Sequence, residues 1–214
     1  MKLVFVHGWG FDAELWRDLR AELGEFESQT VDLGFFGQPR QAEANGEAVI
    51  AVGHSLGFLW LLRERPFDWQ ALISISGMPR FTKAPDYRFG IDPRILEATI
   101  ARFAAAPHET LADFFAACGA GGGNCSGADW ARLAEGLHWL KSWDARGALE
   151  SETAPVLALY SGDDAVVPKA LSEDIFADRR GTARAVTESG GHVLPLSRSR
   201  WCAGQIREFA GRLS

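Results

Sequence analysis

The sequence predicts an α/β protein, a mostly parallel sheet with helices on both faces and a helical cap inserted in the second half of the order. Three observations predict it. Short runs rich in β-branched residues recur at 3–6, 28–31, 49–52, 72–75, 156–160 and 183–186, the composition of strands covered by helices. Helix-like stretches alternate with them, as parallel strands joined by crossovers require. The segment 78–147 then breaks the rhythm, with helical runs and no convincing strand.

Taken in order, the strand at 3–6 is followed by a helix over 12–23, with Leu15, Trp16, Leu19 and Leu23 at helical spacing. The strand at 28–31 comes next, and the apolar run Ala48-Val49-Ile50-Ala51-Val52 leads into a helix over 56–62. After the strand at 72–75, helices are expected at 93–106, 110–118 and 128–143. The run Gly119-Ala120-Gly121-Gly122-Gly123-Asn124 fixes no backbone conformation, so a flexible hinge or disordered tip is expected there. A phosphate-loop reading fails for want of a preceding strand and a following Gly-Lys-Ser/Thr. The last helix, over 199–213, carries Trp201, Ile206, Phe209 and Leu213 on one face. The resulting division is a core of 1–77 and 148–214 with a helical cap of 78–147.

Composition bounds the function. A chain of 214 residues with 47% hydrophobic content can bury one sizeable core, and a net charge of −6 is the wrong sign for gripping nucleic acid. The first apolar run is too short for a signal sequence or a membrane span, so a cytoplasmic protein that neither inserts in nor spans a membrane is expected. A monomer is the expected state. Cys118, Cys125 and Cys202 are odd in number and show no C-x-x-C spacing, so neither a disulfide framework nor a metal site is expected.

Gly53-His54-Ser55-Leu56-Gly57 follows a buried strand and opens a helix, the setting of a nucleophile elbow. The chain runs so close on either side of such a serine that the positions two before and two after it cannot carry bulk. A serine hydroxyl is a poor nucleophile at neutral pH and needs a base, which in turn needs an acid to hold its tautomer. Asp164, in Ser161-Gly162-Asp163-Asp164-Ala165-Val166-Val167-Pro168, and His192, in Gly190-Gly191-His192, each follow a predicted strand in the order Ser, Asp, His. Asp164 is preferred to Asp163 because the apolar pair and proline after it steer the chain into the next helix; Asp163 stays open as the alternative. His7 and His54 lie beside the site but read as histidines bonded to loop backbone, and His108 and His138 as residues of the cap. The amides of Leu56, at a helix N-terminus, and of Trp9, in His7-Gly8-Trp9-Gly10, are the expected oxyanion donors.

These motifs resemble the α/β-hydrolase superfamily. With Ser76-Gly77-Met78-Pro79-Arg80-Phe81, Ile91-Asp92-Pro93-Arg94-Ile95-Leu96 and Gly136-Leu137-His138-Trp139-Leu140, nearly the whole chain is most similar to the pimeloyl-[acyl-carrier protein] methyl ester carboxylesterases of biotin synthesis. Three departures stand out. The family's Asp-x-Pro-Gly-x-Gly loop reads Asp32-Leu33-Gly34-Phe35-Phe36-Gly37, the glycine usual after the elbow is Phe58, and the stretch from Asp32 to Gly53 is too short for the family's full crossover helix. A loop or a single turn is expected in its place.

The residues imply ester hydrolysis without metal or organic cofactor. Trp9 with Met78, Phe81, Phe103, Leu111, Phe114 and Trp139 is the expected apolar shelter for an acyl chain. The resemblance implies a small acyl ester presented on acyl-carrier protein, an acidic partner; the modest basic excess between Arg80 and Arg102 then offers Arg80, Arg88, Arg94 and Arg102 as docking residues, with an ordinary solvated helical face as the alternative. A general short-chain carboxylesterase or a thioesterase is the alternative, and a ligand-binding receptor on the same scaffold is the alternative of another class.

Overall fold

In the computed structural model, which describes residues 1–43, 46–120, 125–177 and 179–213, six parallel strands form one sheet in the order β2-β1-β3-β4-β5-β6. They are β1 (Lys2–Val6), β2 (Glu27–Val31), β3 (Val49–His54), β4 (Ala71–Ile75), β5 (Val156–Ser161) and β6 (Thr182–Thr187). β1, β3, β4 and β5 are buried along their whole length, which favours apolar side chains on both faces, and Val, Ile, Leu and Ala predominate there, with Lys2 and His54 as buried polar residues at strand ends. β6, at the edge, mixes half-buried and exposed positions.

Between β1 and β2 a 3₁₀ turn (Ala13–Trp16) precedes α1 (Arg17–Glu22), so the helix expected over 12–23 is split. The Asp12 carboxylate caps the turn by accepting the Glu14 amide at 2.8 Å, and the Leu15 N–H reaches the Asp12 carbonyl, the tight i to i+3 closure that starts many helices. α2 (Leu56–Glu64) is buried at every residue from Leu56 to Leu62. Between β2 and β3 the described residues form no helix; Asp32 and Arg40 pair as an antiparallel bridge instead, as the shortness of this segment leads one to expect.

Among the described residues, four helices lie between β4 and β5: α3 (Pro93–Ala105), α4 (Pro107–Cys118), α5 (Trp130–Ser142) and α6 (Arg146–Ser151). Asp92 caps α3 with Pro93 in the first turn, and Asp129 caps α5, both favourable helix starts. The base of this insertion is closed by backbone and charge together. The Ala145 N–H donates to the Pro79 carbonyl, and Asp144 takes Arg80 at 2.7 Å and Arg146 at 2.8 Å. The boundary expected at 147/148 falls within α6. The glycine run at 121–123 and Asn124 lie outside the described residues; Gly119, ending α4, is left-handed with φ 75°. α7 (Lys169–Phe176), α8 (Leu194–Ser197) and α9 (Ser199–Gly211) complete the chain. Among the described residues no helix is long and apolar enough to cross a membrane.

Sheet order positions the site. β2 lies on one side of β1 and β3 on the other, so the loops leaving β1 and β3 diverge at their carboxyl ends, where open parallel sheets bind ligands.

Candidate active site

Val6 pairs with Gly53 and Gly53 with Ser74 in register, which brings the loop after β1 alongside the turn after β3. Ser55 occupies that turn with φ 51° and ψ −120°, a sparsely populated conformation for a residue with a Cβ, costing roughly 1–3 kcal/mol. Two backbone bonds hold it: the Ser55 N–H donates to the Ile75 carbonyl at 3.0 Å and the Phe58 N–H to the Ser55 carbonyl at 3.1 Å. Close packing explains the flanking glycines. A Cβ at Gly53 would lie 2.4 Å from the Phe58 Cα, and one at Gly57 would lie 2.2 Å from the Val6 carbonyl oxygen.

The two candidate acids separate in space. Asp164 is buried, with its carboxylate oxygens 2.9 and 3.1 Å from His192 Nδ1. One of those oxygens also accepts the Val166 and Val167 amides, each at 2.8 Å. Asp163 is exposed and turns to the Ser161 hydroxyl and the Gly190 and Gly191 amides. Burial pushes the Asp164 carboxyl up, yet the charge and hydrogen bond of His192 and the two amides leave it below its ordinary value. The network assigns the Nδ1–H tautomer to His192, since Asp164 accepts there, and this frees Nε2 to accept a proton. Nε2 is buried without a hydrogen-bond partner among the described residues, and no hydrogen bond joins it to Ser55 Oγ.

His54 ties the elbow to the histidine loop. Its Nε2 lies 3.0 Å from the His192 carbonyl and its ring 4.8 Å from the His192 ring. Burial, and then the electrostatic effect of the neighbouring His192, lower its pKa to about 3, so His54 is neutral and donates through Nε2–H. His7 likewise serves backbone: Nδ1 lies 3.0 Å from the Gly8 carbonyl, and Nε2 accepts the Leu33 amide at 2.9 Å. His108 packs on Trp130 and His138 is exposed.

The amides of Trp9 and Leu56 donate to no acceptor among the described residues, and a Cβ at Gly8 would lie 3.0 Å from Ser55 Cβ. The Trp9 indole N–H donates to the Leu133 carbonyl at 2.7 Å, joining this loop to α5. Of the expected apolar shelter, Phe114 and Phe103 pack on the Trp9 ring with centroids at 4.7 and 5.9 Å, and Leu111 approaches Gly10. Trp139 instead stacks on Trp143 beneath the Arg132 guanidinium. Met78 is fully buried in the core, and Phe81 is half-buried in the loop that pairs with Ile91. Phe11, absent from the expected set, packs its ring against His54, Phe114 and Phe115; its place directly after the glycine of His7-Gly8-Trp9-Gly10 was the available signal. The expected basic residues divide. Arg80 is committed to Asp144 and the Thr82 carbonyl and Arg102 to Asp113, whereas Arg88 and Arg94 are exposed and outside the ion pairs of the described residues.

No protein-family model matches the chain. It is 27% identical over 237 residues to the pimeloyl-[acyl-carrier protein] methyl ester esterase of Neisseria meningitidis serogroup C, covering 97% of this chain and 93% of that one. Among solved structures it is similar to an esterase from Exiguobacterium antarcticum, with TM-score 0.83, 18% identity and coverage of 98% of this chain and 91% of that one. It is also similar to a bromoperoxidase from Bacillus anthracis, with TM-score 0.84, 18% identity and coverage of 98% and 91%. The fold is the α/β-hydrolase fold.

Proposed function

We propose that this α/β-hydrolase-fold chain is a serine carboxylesterase that cleaves an acyl methyl ester, with pimeloyl-[acyl-carrier protein] methyl ester as the substrate and biotin synthesis as the setting. The observation that carries the reading is the buried two-oxygen contact of Asp164 with His192, whose loop is tied through His54 to the strained turn that holds Ser55. The full-length similarity to esterases of that name supports the substrate.

In this mechanism Ser55 Oγ attacks the ester carbonyl as His192 Nε2 takes its proton, and Asp164 stabilises the imidazolium. The amides of Trp9 and Leu56 hold the oxyanion, each such donor being worth about 10²–10³ in rate. His192 returns the proton to the leaving alcohol, and water then attacks the acyl-enzyme by the same route in reverse. Trp9, Phe103, Leu111 and Phe114 shelter the acyl chain, with Met78, Phe81 and Trp139 supporting the cap's packing. An acidic carrier meets a protein of net charge −6, so its docking depends on local positive charge, for which Arg88 and Arg94 are available.

Labelling by a fluorophosphonate, lost in Ser55→Ala, tests the nucleophile. Growth of a biotin-requiring bacterium lacking its own pimeloyl ester esterase, restored by this chain and not by Ser55→Ala, tests the substrate.

A further inference from the structure

The loop that carries His192 is held through its backbone from Gly190 to His192. The Gly190 carbonyl accepts the Ser197 hydroxyl at 2.6 Å, the His192 N–H donates to the Cys118 carbonyl at the end of α4 at 3.3 Å, and the His192 carbonyl takes His54 Nε2. The two remaining donors, the Gly190 and Gly191 N–H groups, go to one side chain: Asp163 Oδ2 accepts the first at 3.3 Å and Oδ1 the second at 2.8 Å.

These glycines need an anchor. Gly190 has φ 144° and Gly191 φ 64°, values open to glycine but strained for other residues, so the pair confers no stiffness of its own. Asp163 is itself placed firmly. The Gly162 N–H donates to the Thr187 carbonyl at 2.8 Å, continuing the β5–β6 ladder up to its neighbour, and the Ser161 hydroxyl donates to Oδ1. Charge-assisted bonds of this kind are roughly twice as strong as neutral ones. We infer that Asp163 is a positioning residue, whose carboxylate gathers the two glycine amides and the Ser161 hydroxyl so that the His192 ring meets Asp164 and Ser55 in working alignment. Adjacent aspartates thus hold one histidine at two levels, Asp164 orienting the ring and Asp163 the backbone that carries it.

This inference rests on the proposed role of His192 as base, and its test has a readout separate from turnover. Asp163→Ala is expected to lower kcat on a p-nitrophenyl ester about tenfold or more with KM within about twofold, because ground-state binding does not use the alignment. Asp163→Asn, which retains an acceptor for Gly191 and a partner for Ser161, is expected to recover most of the loss. In proton NMR the His192 Nδ1–H resonance is expected to broaden by exchange in the alanine variant and to persist in the asparagine variant. Asp163→Ala with a wild-type resonance, or an asparagine variant no better than alanine by NMR, overturns the inference whether or not the protein proves to be an esterase. A wild-type protein inert toward esters sinks the esterase reading alone, and the NMR comparison still decides the role of Asp163. Should the alanine variant unfold, the asparagine variant and Ser161→Ala, which removes one of the three donors, carry the same comparison.

Discussion

Asp164 holds His192 Nδ1 through both carboxylate oxygens, at 2.9 and 3.1 Å, and both side chains are shut off from solvent. An amide in place of that carboxylate favours the wrong imidazole tautomer and withdraws the countercharge from the imidazolium. Asp164→Asn is therefore expected to lower kcat on any ester substrate by about 10³–10⁴ with the fold retained. Steady-state kinetics beside a circular dichroism spectrum checks this, and a loss below about tenfold is inconsistent with Asp164 as the triad acid.

The elbow makes a demand on volume that is independent of substrate. A methyl group at Gly57 would stand 2.2 Å from the Val6 carbonyl oxygen and 2.6 Å from that of His7, and both belong to backbone that cannot swing aside. Gly57→Ala is expected to destabilise the protein by about 3 kcal/mol or more, at the upper end of single substitutions. Gly204, on α9, meets nothing within 4 Å of an added Cβ, so Gly204→Ala is expected to be neutral or stabilising, since alanine is favoured in a helix. Paired thermal melts of the two variants compare these effects.

Acid stability tests the base of the insertion. Hydrogen bonding to Arg146, assisted by Arg80, holds the Asp144 carboxyl well below the usual carboxylate range against the opposing effect of burial. A carboxylate whose pKa is lower folded than unfolded adds stability that is complete above the unfolded value of about 4 and drains away as pH falls toward the folded one. Melting temperature is thus expected to fall below about pH 4, and less steeply in Asp144→Asn, whose Tm at neutral pH starts lower. Equal slopes for the two proteins in that range contradict this role for Asp144.

The four inner strands were visible as apolar runs because burial on both faces leaves no polar alternation to obscure them, and β2 and β6 at the edges showed through their β-branched residues. The elbow was legible for a related reason, since Gly53 and Gly57 answer a steric demand that acts locally. α6 and α8 escaped because six and four residues are too few to display a helical period. The fate of Arg80 and Arg102 could not be read, since Asp144 lies 64 residues from Arg80 in the chain and Asp113 sits on a different helix from Arg102. Phe58, a departure from the family pattern, is accommodated across space. It is fully buried against Phe176, and a Cβ at Gly77 would lie 2.5 Å from Phe58 Cβ, so a glycine distant in the chain leaves room for the ring. The separate work of Asp163 was equally out of view, because it depends on how two glycines turn their amides.

Charge on the insertion yields the prediction most specific to a carrier-borne substrate. Arg88 and Arg94 are exposed and outside the described ion pairs, while Arg80 and Arg102 already face Asp144 and Asp113. A protein with net charge −6 repels an acidic carrier at long range, so local attraction at these two side chains has to overcome that repulsion. The double variant Arg88→Glu/Arg94→Glu is expected to lower the ratio of kcat/KM for a carrier-bound ester to that for the free methyl ester about tenfold or more at low salt. The gap should narrow as ionic strength rises toward about 1 M, where the screening length shrinks to about 3 Å. Arg102→Glu, which swaps an existing pair for repulsion with Asp113 on α4, is expected to lower thermal stability as well as turnover. A ratio unchanged by the double variant at low salt removes this surface from the docking site.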